Sequence, residues 1–218
     1  MARMRVGVLG GTFDPPHVAH LILAEAARSQ LALERVIFVP AGGPWRKASG
    51  AVTPAAHRLA MVRLAVVGDA HFEVSEIEVE RRAPSYTVDT LAQLTERLGH
   101  ECELYFILGE DALNDLPDWK QPRRIIELAW LAVAARPETR PGKGRQAARL
   151  VSDALERAVP GIRERVIPLD MPALDISATA LRERARAGRS PRYLVPPAVD
   201  EYIRRHGLYV EASPPKGT

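Results

Sequence analysis

Apolar positions along this chain come in two alternating kinds of segment. Arg5–Leu9, Val36–Val39, Leu104–Leu108 and Leu131–Ala134 are short continuous runs, the first three stopped at once by Gly10-Gly11, Pro40 and Gly109. Runs of that length with turn residues at their ends predict strands buried on both faces. Between them apolar residues recur at helical spacing, which predicts helices over His17–Leu31, Pro54–Val67, Thr87–Leu98, Gln146–Val159, Ala178–Ala187 and Pro197–Arg205. In the second helix Thr53 is the expected N-cap and Pro54 the first helical residue. Leu59, Val62 and Val66 form its apolar face with Arg63 at the edge, and His57 and Arg58 read as a surface pair. Short helices at Glu110–Asp115 and Ile125–Leu128 and a short strand at Arg165–Pro168 complete the pattern. The alternation Phe72, Val74, then Ile77, Val79 slips by one residue at Ser75-Glu76, so a bulge or bend is expected there.

Strands alternating with helices predict an α/β fold: a Rossmann-like, doubly wound parallel sheet covered on both faces. A small C-terminal helical region is expected at about 176–210, within one domain spanning 1–210, followed by a frayed Pro/Gly-rich tail over 211–218. A formal net charge of +3 is too weak to argue for a nucleic-acid partner, yet it suits small anions held by local positive clusters. The one cysteine, Cys102, excludes an internal disulfide and a cysteine metal cage. It opens a strand-like run and reads as a buried thiol, not a nucleophile. No stretch approaches the roughly 20 apolar residues of a membrane helix, and Val6–Leu9 is too short for a secretion signal. The expected location is therefore the cytoplasm, with no membrane partner. Monomer and homo-oligomer both remain open.

The chemically unusual residues follow strand ends: Gly10–His20 after the first, Pro40–Lys47 after the second, and Gly109–Asp111 after the Leu104–Leu108 run. Ligands of parallel sheets bind outside the carboxyl ends of the strands, so these three segments predict one site. Gly10-Gly11 can be a simple tight turn, or can let the backbone approach a ligand closely. The helix starting near His17 offers free N–H groups to an anion. His17 and His20, three apart, share a helix face. Taken alone they could be surface histidines or part of a zinc site, but no cluster supplies the third ligand zinc needs. The string is neither a dinucleotide Gly-x-Gly-x-x-Gly nor a Walker loop. A second element, Ile176-Ser177-Ala178-Thr179-Ala180-Leu181-Arg182, places hydroxyls and an arginine fork at a helix start. That is either a polyphosphate clamp or an N-cap with a solvated arginine.

Gly10–His20 as a whole resembles the Gly-Thr-Phe-Asp-x-x-His-x-Gly-His signature of the nucleotidyltransferase superfamily, with Ala19 where that signature has glycine. Ile176–Arg182 resembles the superfamily's Ile-Ser-Ser-Thr-x-Ile-Arg element, with Ala178 in place of a serine. Pro84–Leu91 is similar to the Ser-Tyr-Thr-x-Asp-Thr element of bacterial nicotinate-nucleotide adenylyltransferases, and Phe106–Ala112 with Leu116 and Trp119 to their Gly-x-Asp…Leu…Trp element. Pro40–Lys47 is similar to their Pro-x-x-x-Pro-Pro-His-Lys segment, with Trp45 and Arg46 replacing proline and histidine. The likeness runs from about Arg5 to Tyr209.

The resemblance implies adenylyl transfer from ATP to nicotinate mononucleotide in NAD biosynthesis, by direct in-line attack without a covalent enzyme intermediate. It implies catalytic roles for His17, His20, Lys47 and Arg182. ATP would lie against Gly10, Gly11, Thr12, Phe13, His17, His20, Gly109, Ile176, Ser177, Thr179 and Arg182. The mononucleotide would lie against Phe13, Lys47, Ser85, Tyr86, Thr87, Asp111, Trp119 and Arg136. It implies Mg2+ carried with ATP, without a protein cage. Four of these residues have plainer readings too: Lys47 as a surface lysine, Trp119 as packing, Asp111 as a helix-terminus charge, and Arg136 facing solvent and not adenine. Rival readings are a phosphopantetheine adenylyltransferase, which would lack the Ser85–Leu91 and Trp119 elements, a non-catalytic nucleotide sensor, and an RNA-binding relative.

Overall fold

Six parallel strands form a sheet in the order β3-β2-β1-β4-β5-β6. They are β1 (Met4–Gly11), β2 (Arg35–Pro40), β3 (Phe72–Val74), β4 (Cys102–Gly109), β5 (Ala129–Ala134) and β6 (Val166–Leu169). The computed structural model describes residues 3–43, 52–81, 84–99, 101–135, 150–172 and 174–210. Strand order reverses beside β1, which pairs with β2 on one side and β4 on the other. A crevice at the carboxyl ends of β1 and β4 is the place where such sheets bind ligands.

The continuous apolar runs are explained by what covers each face. Val6, Val8, Ile37, Val39, Leu104, Phe106, Leu108, Leu131 and Val133 point to one side, where they meet Leu91 and Leu94 of α3 (Thr87–Leu98) and Ile125 of α5 (Pro122–Leu128). Leu9, Val36, Phe38, Tyr105, Ile107 and Ala132 point to the other, against Ala24 and Ala27 of α1 (Val18–Leu31) and Val62 and Val66 of α2 (Ala55–Val66). Strands clothed on both faces have no polar face to show, hence no alternation in sequence.

α2 has a second duty. Its Met61 joins Leu181, Val195, Val199 and Ile203 in a separate buried cluster. These residues come from the C-terminal helices α7 (Ala178–Arg186) and α8 (Pro197–Arg205) and the turn between them. A helix with apolar groups on two sides is a sandwiched helix. The C-terminal helices therefore dock on α2, and the Val18 N–H donates to the Leu194 carbonyl at 3.0 Å, tying them to the start of α1 as well.

The departures from the sequence pattern have local causes. α2 begins at Ala55 with Pro54 as N-cap, because the N–H and carbonyl of Thr53 are both engaged elsewhere (Asp14 and Arg58). Arg58 is no surface residue: it is 1% exposed. His57 is half-buried, its Nδ1 2.9 Å from the Tyr202 hydroxyl. After Val74 the chain leaves the sheet in a bend and not a bulge, with Ile77 turning into the core. The helix expected over Gln146–Val159 is interrupted by Ser152, whose hydroxyl accepts the Leu155 N–H at 3.1 Å and caps α6 (Asp153–Ala158); residues 146–149 lie outside the described ones. Cys102 is half-buried at the start of β4, and burial raises its thiol pKa, the opposite of nucleophile activation. Among the described residues, no helix is long and apolar enough to cross a membrane.

Candidate active site

β1 delivers the first motif to the crevice. Past Gly11 the chain turns sharply: Phe13 takes left-handed backbone (φ 50) and His17 is extended (φ −140, ψ 168) as N-cap of α1. A bulky residue at positive φ is costly and persists only where surroundings hold it. Here the Phe13 ring is 2% exposed, edge-on to His20 (4.9 Å between centroids) and tilted against Phe38 (5.9 Å). The ring forms the floor under His20 and is itself covered. A side chain at Gly11 would press on that ring at 3.1 Å.

His17 and His20 are stacked at 3.7 Å between ring centroids. The His17 N–H donates to His20 Nδ1 at 3.1 Å, an imidazole taking the reach-back role of a capping box. In neutral His20 an accepting Nδ1 puts the ring proton on Nε2. His17 Nδ1 is buried without a hydrogen-bond partner among the described residues. Burial lowers the His17 pKa from 6.5 to about 4, so at neutral pH this imidazole is uncharged.

That shift has a stability consequence. Between pH 4 and 6.5 the unfolded chain binds a proton at His17 that the folded one rejects, so stability rises with pH across this window. His17→Gln should flatten the rise by on the order of 2 kcal/mol, read from urea unfolding at pH 4.5 and 7. An unchanged slope would count against a buried neutral His17.

Asp14 is the junction of the site. Its carboxylate, 3% exposed, accepts from the Tyr209 hydroxyl at 2.6 Å and the Thr53 N–H at 3.2 Å. Burial, then the bond to Asp14, pushes the Tyr209 phenol far above its ordinary pKa. The Asp14 carbonyl accepts from Arg182 Nη1 at 2.7 Å, and Arg182 Nη2 donates to Thr179 Oγ1 at 3.2 Å. Ser177 caps α7 by accepting the Ala180 N–H at 3.2 Å, and Ile176 is half-buried against the C-terminal cluster. The two candidate motifs, far apart in sequence, thus meet.

The opposite wall follows β2 and β4. The Ala41 N–H donates to the Gly11 carbonyl at 2.9 Å. The Gly42 N–H donates to Ser85 Oγ at 3.1 Å, and the Ser85 N–H to the Gly43 carbonyl at 3.3 Å. Ser85 is buried, and its hydroxyl accepts from this loop and bonds the Glu78 carboxylate as well. Tyr86 and Thr87 form the start of α3, with the Lys120 ammonium 4.6 Å from the Tyr86 ring centre. Trp119 stands edge-on to Phe106 at 6.1 Å, its Nε1 buried and unpaired among the described residues. Phe106 also lies beneath Gly10, where an added Cβ would meet its ring at 3.6 Å. Trp119, Phe106 and Gly10 are therefore contiguous. Gly109 ends β4 and caps α4 (Glu110–Asn114), whose first turn holds exposed Asp111. Lys47, with Trp45 and Arg46, and Arg136 lie outside the described residues. No cluster of three or more His, Cys, Asp or Glu suited to a metal ion occurs among the described residues.

Sequence reasoning missed Arg58, Tyr209 and the junction role of Asp14. Arg58 did carry a signal: Arg58, Met61, Val62, Ala65 and Val66 follow helical spacing, so a lone arginine sat in an apolar stripe.

The profile of the Cytidylyltransferase-like family matches residues 8–184. A probable nicotinate-nucleotide adenylyltransferase of Thermomicrobium roseum is 48% identical over 216 residues, covering 98% of this chain and 96% of the relative. Another from Roseiflexus sp. (strain RS-1) is 46% identical, covering 96% of this chain and 100% of its own. The structure of Plasmodium falciparum nicotinic acid mononucleotide adenylyltransferase complexed with NaAD superposes with a TM-score of 0.71, over 94% of this chain and 97% of that one. At 17% identity, that match is a likeness of fold.

Proposed function

This chain belongs to the nicotinate-nucleotide adenylyltransferases of the cytidylyltransferase-like family, and on that premise we propose that it joins ATP to nicotinate mononucleotide by direct in-line displacement. An oxygen of the mononucleotide phosphate bonds to the α-phosphorus of ATP. The bond from that phosphorus to the bridging oxygen breaks, and pyrophosphate leaves with the electron pair. The products are nicotinate adenine dinucleotide and pyrophosphate. No enzyme nucleophile is needed, and catalysis rests on positioning and charge stabilisation.

The observation that carries this reading is the contact of Arg182 with the Asp14 carbonyl, 2.7 Å. It sets a guanidinium beside the loop that bears both imidazoles. Arg182 uses two N–H groups on Asp14 and Thr179; its fork has five, so it can hold its anchors and still donate to a leaving pyrophosphate. Ser177, Thr179 and the head of α7 would share that load, with Ile176 alongside. His17 and His20 would donate to oxygens of the α-phosphate as charge builds. Backbone at Gly10, Gly11, Thr12 and Phe13 would lie along the nucleotides, and Lys47 would bring a cation to them. The orphaned Trp119 Nε1 and the amides at Tyr86 and Thr87 suit a flat pyridine ring carrying a carboxylate. Asp111, next to Gly109, would accept from ribose hydroxyls, and Arg136 would serve the adenine side. Mg2+ would arrive on the triphosphate: both Asp14 oxygens already accept hydrogen bonds, which leaves this carboxylate poorly suited to hold the ion.

Pyrophosphate release, measured with ATP and Mg2+ and either nicotinate or nicotinamide mononucleotide, tests the proposal. The acid should be turned over at least tenfold faster. Comparable turnover of the amide would overturn the acid preference, and no release with either would overturn the transfer itself.

A further inference from the structure

Arg58 is a buried cation with no carboxylate in salt-bridge contact among the described residues. At 1% exposed, it donates from Nη1 to the Thr12 carbonyl (2.8 Å), from Nη2 to the Gly42 carbonyl (3.0 Å) and from Nε to the Thr53 carbonyl (2.8 Å). Burial lowers its pKa, opposed by the nearby charges of Asp14 and Glu78. A buried charge is costly, and its persistence asks for a reason. The three acceptors suggest one. Thr12 belongs to the phosphate-facing turn after β1. Gly42 lies in the loop after β2. Thr53 precedes α2, and its own N–H holds the Asp14 carboxylate. These carbonyls come from three separate stretches of irregular chain that share no strand pairing at those residues, and one planar fork satisfies them together.

We propose that Arg58 is a positioning residue for adenylyl transfer, the bracket that fixes the imidazole-bearing turn relative to the loop after β2. It touches no reacting atom. Its effect reaches the chemistry through Thr12 on one side and through Gly42 and Thr53 on the other. The chain between those last two residues contains Lys47, so both stems of that stretch are tied to the same guanidinium. This part of the inference rests on the function proposed above; the bracket itself does not.

Arg58→Lys keeps the charge but replaces a fork with a single ammonium that cannot serve three diverging carbonyls. We expect kcat to fall about 30- to 100-fold with KM for ATP changed less than about threefold, at a temperature where circular dichroism shows the variant folded. A purely structural arginine would leave kcat of the folded fraction unchanged, and that result overturns the proposal. Amide hydrogen exchange gives a readout independent of activity. In the wild-type protein the Ala41 and Gly42 amides, bonded to Gly11 and Ser85, should exchange as slowly as the core strands. In Arg58→Lys they should exchange at least tenfold faster while β4 amides do not change. Should the variant not fold, the wild-type exchange decides: rapid exchange at Ala41 and Gly42 overturns the bracket. If wild-type protein shows slow exchange there but releases no pyrophosphate, the function is wrong and the bracket stands.

Discussion

His20→Ala should lower kcat by about a thousandfold while leaving a folded protein. On the proposed mechanism the rate loss follows from removing a hydrogen-bond donor to charge that develops during transfer, an interaction typically worth about 10²–10⁴ in rate. The stability cost is smaller, on the order of 1–2 kcal/mol, because the side chain also accepts the His17 N–H and rests on the Phe13 ring. His20→Asn separates the two roles. Its carbonyl oxygen can still accept the His17 N–H, so much of the stability should return, while the imidazole Nε2 proton is gone and the rate should stay low. Single-turnover kinetics with saturating ATP, beside urea denaturation of each variant, measure both. A His20→Ala enzyme within tenfold of wild-type rate would remove the role assigned to this imidazole.

The parts of this molecule that were legible in the sequence are those set by local pattern. The strand runs, the glycine stops and helices α3 and α8 follow from periodicity and end signals, because a residue buried on a strand or helix declares itself at its own position. The meeting of Gly10–His20 with Ile176–Arg182 was also expected, through the resemblance. What escaped was whatever depends on backbone acceptors brought together by the fold. Carbonyls of Thr12, Gly42 and Thr53 leave no mark in the sequence, so the place of Arg58 beside His57 in the first turns of a helix suggests only a surface pair. The Ser85 hydroxyl accepts the Gly42 N–H and bonds the Glu78 carboxylate, a pairing with no mark in the sequence. Tyr209 sits beside the frayed-looking tail, but its phenol closes the Asp14 junction from 195 residues away. In each case a side chain spends its polar group on a loop, and the loop's shape is the product.

Gly42→Ala should be as damaging as a change within the imidazole-bearing turn, with at least about a hundredfold loss of rate and on the order of 3 kcal/mol of stability. The reason is a close approach of backbone to backbone. A Cβ at Gly42 would stand 2.0 Å from the Glu78 carbonyl oxygen and 2.8 Å from its carbon. Neither is the yielding tip of a side chain. Relief requires the loop or the turn that holds Glu78 to move by more than about 1 Å to reach ordinary contact distance. Glu78 itself is held, buried and accepting the Thr90 hydroxyl at 2.6 Å, so the loop is the part that moves. Such a shift strains two bonds at once, the Arg58 donation to the Gly42 carbonyl at 3.0 Å and the Gly42 N–H to Ser85 at 3.1 Å. Gly43→Ala is the control, since a Cβ there meets nothing within 4 Å among the described residues. It should retain near-normal rate and stability. Denaturation curves and initial rates for the pair isolate the steric effect from any general intolerance of side chains in this loop. If the two alanine variants behaved alike, the close packing of Gly42 against Glu78 would not be what holds this wall of the site in place.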